Sequence, residues 1–155
     1  MDFFNHLSGD AMAATTIWRG RESLATLNDS LRGTLAETLG VVLTELGADF
    51  LTGTMPVDAR TLQPFGLLHG GASVALAETV GSTAASLVID LERQICVGQE
   101  INANHVRSAR SGLVTATARP LHLGARSQVW DVRIVDDALR LVCVARLTMA
   151  VLERR

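Results

Sequence analysis

The chain has 155 residues, of which 48% are hydrophobic and 19% are charged, and its formal net charge is -2. A chain of this length suits one domain with a sizeable core. Its small net charge gives no electrostatic preference for nucleic acid or acidic membranes, and no basic run is interleaved with aromatic residues, so the composition argues against nucleic-acid binding.

The first 16 residues, MDFFNHLSGDAMAATT, show no sustained periodicity and no basic segment followed by an apolar core. They are expected to form a variable, partly disordered extension rather than a signal peptide, with residues 17–155 as a single domain. No uninterrupted apolar run reaches the length of a membrane span, so we expect a cytoplasmic protein without a membrane partner.

The first half of the chain predicts short helices, a hairpin and one long helix. Leucines at helical spacing predict a helix within residues 21–31, and TLAETL predicts another turn or two. The runs VVLTEL and DFLTGTMPV, separated at Gly47, predict a β-hairpin. A turn-rich loop, DARTLQPFG, then leads into a helix from Gly70 or Gly71 to about Ile89.

The second half consists of four β-rich runs, RQICVGQEINANHVR, LVTATARPL, RSQVWDVRIVD and LRLVCVARLTMAVL. In the third run Gln128, Trp130, Val132 and Ile134 share one face, and Asp131 lies on the other. These runs predict a meander of about four strands. The whole pattern indicates an α+β fold, with a largely antiparallel sheet wrapped around the single apolar helix.

The cysteines and histidines give no sign of a metal or redox site. Cys96 and Cys143 stand alone in apolar runs, which favours buried thiols in a reducing compartment over a disulfide or a catalytic thiol. The four histidines show no metal-ligand spacing with each other or with cysteine. We therefore expect no metal and no cofactor.

The long helix carries a single charge, that of Glu78, between residues 72 and 89. A lone buried carboxylate is costly unless something specific engages it. Ser82 follows one turn later on the same face, where its hydroxyl can hold the carboxylate or a water beside it. The alternative interpretation is a structural ion pair of this carboxylate with Arg107 or Arg126.

The sequence His69-Gly70-Gly71 leads directly into this helix. The first N–H groups of a helix lack intrahelical partners, and glycine leaves room for an oxygen to approach them, so an oxyanion hole is possible here. Gly70 and Glu78 are eight residues apart, about 12 Å along a helix. Since a carbonyl held by Gly70 is out of easy reach of Glu78 in the same chain, we expect an active site built from two chains. A tight turn without function is the alternative.

Three separated motifs resemble those of the hotdog-fold acyl-CoA thioesterases: MPVDARTLQPFGLLHGGASVALAETVGS, GQEINANHVRSARSG and LHLGARSQVWDVRI. The resemblance covers roughly Arg19 to Leu152. The group includes the 4-hydroxybenzoyl-CoA thioesterase of the Arthrobacter type and the 1,4-dihydroxy-2-naphthoyl-CoA hydrolase of menaquinone biosynthesis. It implies a curved antiparallel sheet around one long helix, dimers assembled into homotetramers with active sites at the dimer interface, and hydrolysis of acyl-CoA with an aromatic acyl group favoured.

The resemblance also implies roles for individual residues. Glu78 is then the catalytic carboxylate, as nucleophile or as general base, and Gly70 donates its backbone N–H to the thioester oxygen. Gln63 and His69 line the thioester and help to place the water or the leaving sulfur. Ser82 stands where the family has a serine or threonine that assists the carboxylate.

Four further residues match family positions that contact the substrate. His105 matches a position near the acyl group, and Arg107, Arg126 and Ser127 match positions along the coenzyme A arm and its phosphates. A merely solvated side chain is the alternative for Arg126.

Two other functions remain as alternatives, proofreading of acyl or aryl carrier proteins and non-catalytic binding of acyl-CoA. Simple binding does not require the helix carboxylate. A hydratase of the same fold is disfavoured, because the chain lacks the histidine motif and proline–glycine turn of those relatives.

Overall fold

A computed structural model describes residues 16–20 and 22–154, so residues 1–15 of the expected N-terminal extension lie outside the described residues. The described elements, in chain order, are α1 Leu24–Ser30, α2 Leu35–Leu39, β1 Val42–Leu46, β2 Leu51–Pro56, α3 Gly70–Leu87, β3 Gln94–His105, β4 Leu113–Leu123, β5 Ser127–Asp136 and β6 Leu141–Glu153. The predicted short helices, hairpin, long helix and four later strands are therefore confirmed.

The strands form one antiparallel sheet in the order β1-β2-β4-β5-β6-β3. The predicted meander is right for β4, β5 and β6 but wrong for β3. This strand pairs only with β6 in the described sheet and lies at its edge. Alternating hydrophobicity shows which face of a strand is buried but carries no information about which strand lies beside it, so the sequence pattern did not predict this order.

The connection from β3 to β4, residues 106–112, crosses the width of two strands. It spans three strand spacings, about 14 Å in all. Val106 donates its N–H to Val142 O at 2.9 Å, and Leu68 donates to Ala109 O at 2.8 Å. The crossing segment is thereby tied to β6 on one side and to the loop before α3 on the other.

Helix α3 contacts five of the six strands, β2 to β6. Its buried residues are mostly small: Ala72, Ser73, Leu76, Ala77, Val80, Gly81, Ala84, Ala85 and Leu87. A Cβ on Gly81 would lie 2.6 Å from Leu147 Cδ2, and one on Gly53 would lie 2.8 Å from Val80 Cγ2. Small residues therefore let the helix lie close to the sheet, and the predicted arrangement of a sheet around one long helix is confirmed.

The opposite face of α3 is only half-buried, which differs from the expectation of a helix enclosed all round. It consists of Val74, Ala75, Glu78, Thr79, Ser82, Thr83 and Ser86. The hydroxyls of this face donate to carbonyl oxygens four residues earlier, for example Thr79 to Ala75 O at 2.7 Å and Ser86 to Ser82 O at 3.0 Å. Because these hydroxyl donors are satisfied within the helix, the carboxylate of Glu78 is the polar group of this face that has no hydrogen bond among the described residues.

A buried polar chain links α3, the sheet and the N-terminal segment. Gln128, on the helix-facing side of β5, donates from Nε2 to Ala85 O at 3.3 Å and accepts from Trp130 Nε1 at 2.9 Å. The Trp130 ring stacks on Trp18 with centroids 6.4 Å apart, and Trp18 Nε1 donates to Gly47 O at 2.6 Å. This network explains a glutamine on an otherwise apolar strand face.

None of the helices in the described part of the chain has the length and hydropathy needed to span a bilayer.

Candidate active site

Among the described residues, one backbone amide at the start of α3 has no hydrogen-bond partner. His69 is the N-cap residue, and its Nδ1 accepts the N–H of Gly71 at 2.8 Å. In the neutral ring this assigns the proton to Nε2. No hydrogen bond among the described residues takes the N–H of Gly70. Of the two glycine amides, Gly70 is therefore the one available to an incoming oxygen.

The imidazole of His105 lies against Gly70. It occupies the last position of β3, on the helix-facing side, opposite the buried Cys143. A Cβ on Gly70 would lie 2.8 Å from His105 Nε2 and 3.2 Å from its Cδ2. The glycine therefore makes room for the imidazole as well as for a ligand oxygen.

Gln63 is held in the loop before α3 by its own turn. Its backbone N–H donates to Leu67 O at 2.8 Å, and its Oε1 accepts the N–H of Phe65. An isolated bridge between Leu62 and Leu68 closes the loop at its base. With its oxygen engaged, the Gln63 side chain retains its amide N–H groups as donors.

These residues meet at a cavity of about 340 Å³. Four of the predicted site residues line it, namely Gln63, Gly70, His105 and Arg107. The other lining residues come from the loop before α3, the first turn of α3, the crossing segment and β6: Leu67, Leu68, Ser73, Val106, Ser108 and Val142. In the crossing segment the motifs predicted Arg107 but gave no role to Val106 or Ser108, because their place at the cavity depends on the edge position of β3.

Glu78 lies two turns further along α3 and outside the lining of this cavity. Among the described residues its carboxylate makes no ion pair and accepts no hydrogen bond, so the alternative interpretation, a structural ion pair with Arg107 or Arg126, is not formed there. Partial burial raises the pKa of Glu78. A half-buried carboxylate with a raised pKa and no structural partner is a candidate functional group.

Ser82 engages the backbone rather than the carboxylate. Its hydroxyl donates to Glu78 O at 2.5 Å. The carboxylate of Glu78 instead lies against Gly98 of β3, where a Cβ would lie 3.3 Å from Cδ of Glu78. Gly98 is the first residue of the motif GQEINANHVRSARSG, but neither that motif nor the strand-like run QICVGQEI gave it a role.

Arg126 and Ser127 lie at the turn between β4 and β5, away from the cavity. Arg126 O accepts the N–H of Val151 at 2.9 Å, and Ser127 pairs with Ala150, which in turn pairs with Val97 of β3. Ser127 is thus two strands, about 10 Å, from the part of β3 that contacts Glu78. Within one chain the predicted residues therefore lie at three separate places, namely the cavity and helix start, the contact of Glu78 with β3, and the turn between β4 and β5.

Neither cysteine offers a reactive thiolate. Both are free, with Cys143 buried and Cys96 half-buried. Burial raises the pKa of Cys96 to about 11 and also raises that of Cys143, so both thiols stay protonated at neutral pH.

Comparison with known proteins gives one consistent result. The sequence model of the Thioesterase superfamily matches residues 65–143. The chain is 52% identical over 136 residues to the 1,4-dihydroxy-2-naphthoyl-CoA hydrolase of Escherichia coli, covering 88% of this chain and 99% of that protein. It is 51% identical over 136 residues to the proofreading thioesterase EntH of Cronobacter sakazakii, covering 88% and 98% of the two chains.

A solved structure agrees with these relatives. The crystal structure of a mutant thioesterase from Pseudomonas aeruginosa superimposes with a TM-score of 0.89 at 49% identity, covering 90% of this chain and all (100%) of that one. The chain therefore belongs to the Thioesterase superfamily, and it is a thioester hydrolase with the hotdog fold.

Proposed function

We propose that the protein hydrolyses an aromatic acyl-CoA, with Glu78 as the catalytic carboxylate. The observation that carries this proposal is that Glu78 is half-buried on α3 and has no ion-pair or hydrogen-bond partner among the described residues. Burying a carboxylate without a partner costs folding free energy, which is expected only where the carboxylate acts on a ligand. The aromatic preference is supported by the relative at 52% identity, which is named for 1,4-dihydroxy-2-naphthoyl-CoA.

The chemistry requires few groups. A thioester carbonyl has little resonance stabilisation, so one positioned carboxylate and one oxyanion donor are sufficient. The free N–H of Gly70 donates to the carbonyl oxygen as negative charge develops there. A carboxylate oxygen of Glu78 then attacks the carbon and expels the thiolate of coenzyme A, which takes a proton from water. A second water hydrolyses the resulting mixed anhydride.

The alternative role for Glu78 is that of a general base, which takes a proton from the attacking water while the C–S bond breaks. Single turnover in water labelled with heavy oxygen tests for the anhydride. Label in the Glu78 carboxylate after one turnover requires an anhydride that water cleaves at the Glu78 carbon. The general base leaves Glu78 unlabelled, as does an anhydride that water cleaves at the acyl carbon.

We propose that the complete site is formed by two copies of the chain. Gly70 and Glu78 are separated by about 12 Å along the same helix, too far to act on one carbonyl. The half-buried face of α3 and the edge of β3, which has no strand partner on its outer side among the described residues, lie next to each other at Glu78 and Gly98. A second copy related by a two-fold axis supplies Gly70 to this region while receiving the first copy's Gly70 at its own carboxylate.

Subunit complementation tests this arrangement. In a heterodimer of Glu78→Gln with Gly70→Ala, one site carries both substitutions and the other carries neither. Refolding an equal mixture of the two inactive variants is expected to restore about one quarter of wild-type activity, since half of the dimers are mixed and each has one intact site. No recovery from a mixture shown to exchange subunits contradicts the two-chain site.

The arm of coenzyme A is assigned to Arg107, Arg126 and Ser127. Arg107 lines the cavity, whereas Arg126 is exposed and Ser127 is half-buried at the β4–β5 turn at the other end of the sheet. Guanidinium groups suit phosphate oxygens. Arg126→Ala is expected to raise KM for acyl-CoA while leaving kcat nearly unchanged.

A panel of thioesters tests the substrate class. Thiol release is measured with 1,4-dihydroxy-2-naphthoyl-CoA, 4-hydroxybenzoyl-CoA, benzoyl-CoA and straight-chain acyl-CoAs, and the aromatic members are expected to have the highest kcat/KM. Higher kcat/KM for the straight-chain members contradicts the aromatic assignment. Thermal stabilisation by acyl-CoA without thiol release indicates a non-catalytic binder.

Proofreading of carrier proteins is a second candidate function. It is favoured by the relative at 51% identity, which is named a proofreading thioesterase. It uses the same site on a different thioester donor. Faster hydrolysis of an aryl group misloaded on a carrier protein than of the matching aryl-CoA favours this second function.

A further inference from the structure

We propose that Gly98 is a positioning residue for hydrolysis, because its missing side chain forms the space in which the Glu78 carboxylate lies. This inference rests on the proposed catalytic role of Glu78. Gly98 lies on β3 opposite Met149, which is fully buried, so position 98 faces α3. A Cβ there would lie 3.3 Å from Glu78 Cδ and 3.7 Å from Oε2, and closer still to Oε1.

The backbone at Gly98 does not itself require glycine. The described glycines with positive φ are Gly33, Gly40, Gly66 and Gly112, and Gly98 is not among them. Glycine inside a strand is unfavourable, because it loses more conformational freedom on folding than other residues. A glycine retained in a strand often marks a site where another group approaches the backbone closely, and here that group is the carboxylate.

A β-bulge follows immediately, between Gly98 and Glu100. Bulges locally bend a strand and alter the direction of the side chains around them. Just before the bulge, the glycine leaves a stretch of bare backbone at position 98 that faces the middle of α3. This stretch coincides with the one charged residue of the helix.

No hydrogen bond or ion pair in the described chain holds the carboxylate in place. The hydroxyl of Ser82 is used on the backbone oxygen of Glu78, and no arginine pairs with the carboxylate. Its position therefore depends on packing, with α3 on one side and the backbone of Gly98 on the other. A methyl group at position 98 must push the flexible end of Glu78 away by about 1 Å to reach ordinary contact distance.

The expected result of Gly98→Ala is a large loss of rate with little loss of stability. A misplacement of about 1 Å at a catalytic group can lower the rate by about 100-fold. The effect is expected in kcat, because the displaced group acts in the chemical step, while KM stays close to its wild-type value. Asn102→Ala is the matched control on the outer face of the same edge strand, where Glu100 is the hydrogen-bond partner of the Asn102 side chain among the described residues; activity within about twofold is expected.

Compensation by a shorter acid distinguishes positioning from general damage to the strand. Aspartate at position 78 ends one methylene earlier, so an added methyl group at position 98 no longer meets the carboxylate. Gly98→Ala is therefore expected to lower kcat by about 100-fold in the wild-type background but by less than about threefold in the Glu78→Asp background. Sedimentation of every variant is measured alongside, and the wild-type assembly is expected throughout.

Four results would overturn the inference. Full activity of Gly98→Ala, with Glu78→Gln inactive, removes the role of Gly98 and leaves the proposed catalyst intact. An equal loss in both backgrounds, or a changed assembly, makes the effect one of strand structure. Activity retained by folded Glu78→Gln removes the proposed catalytic role itself, and the positioning role with it.

Discussion

Replacing Gly81 by alanine tests whether this glycine sets the depth of α3 in the sheet. Two effects oppose each other. Alanine is the better helix former, by about 1 kcal/mol in a helix interior. The added Cβ, however, would lie 2.6 Å from Leu147 Cδ2 and 3.5 Å from Val132 Cγ2, and both of these residues are fully buried.

The steric effect is expected to be the larger one. Ordinary carbon contacts lie at about 3.5–4.0 Å, so the helix must move outward or Leu147 must leave its preferred rotamer. Overpacking of this kind costs about 1–3 kcal/mol. Set against the gain in helix propensity, a net loss of about 1 kcal/mol is expected, which lowers Tm by about 2–4 °C in a domain of this size.

Urea and thermal unfolding monitored by circular dichroism measure the effect. Leu147→Val removes the clashing methyl group, so the double variant is expected to lose less stability than the sum of the two single losses, by about 0.5 kcal/mol or more. A rise in Tm for Gly81→Ala alone would refute this reasoning, because it would show that the helix-to-sheet contact has room for a methyl group.

Three further predictions follow from the same contacts. Burial raises the pKa of Glu78, so the folded state keeps this proton to higher pH than the unfolded state, and ionisation of the carboxyl lowers stability as pH rises. Glu78→Gln is therefore expected to have a higher Tm than wild type at neutral pH. Thermal scans are expected to show this difference in Tm vanishing at pH values well below 4.5, the ordinary pKa of the group. Gly70→Ala brings a Cβ to 2.8 Å from His105 Nε2 and shifts the proposed oxyanion donor, so kcat is expected to fall by about 100-fold, while the same thermal scans show little change. Trp130→Phe leaves the oxygen of the buried Gln128 without its donor and is expected to cost about 1–3 kcal/mol in urea unfolding, with an unchanged midpoint contradicting the role of this network.

Local periodicity predicted the elements well. The apolar run after Gly70 predicted α3, and the alternation of Trp130 and Asp131 predicted the two faces of β5, because burial of one face imposes a period on the side chains. The hairpin followed from the glycine between two β-rich runs. These signals are contained within one segment, and therefore they are readable without knowledge of the fold.

The pairing of distant segments was not predictable in the same way. β3 lies beside β6 rather than β4, and this order brings the crossing segment to the cavity at Gly70 and brings Gly98 to Glu78. The sequence pattern identified the helix carboxylate but not the strand that lies against it. Such contacts depend on the order of strands, which no local period encodes.

The sequence pattern also did not predict the side-chain hydrogen bonds at the start of α3 and within it. Helical spacing placed Ser82 on the face of Glu78, but its hydroxyl donates to the backbone oxygen four residues earlier. The His69 side chain likewise caps the helix by accepting the N–H of Gly71, a role that serine or asparagine fills more often. Both side chains compete locally for backbone partners, and spacing alone does not decide which partner wins.

The most direct test of the proposed catalyst is kcat for thiol release from an aromatic acyl-CoA, measured for wild type and Glu78→Gln at the same pH. The glutamine has the size of the acid but neither attacks the carbonyl nor takes a proton from water. A folded Glu78→Gln with the wild-type assembly and kcat lowered by about 1,000-fold or more is the expected result. Wild-type turnover by this folded variant would contradict the account, and the lone charge of α3 would then need another explanation.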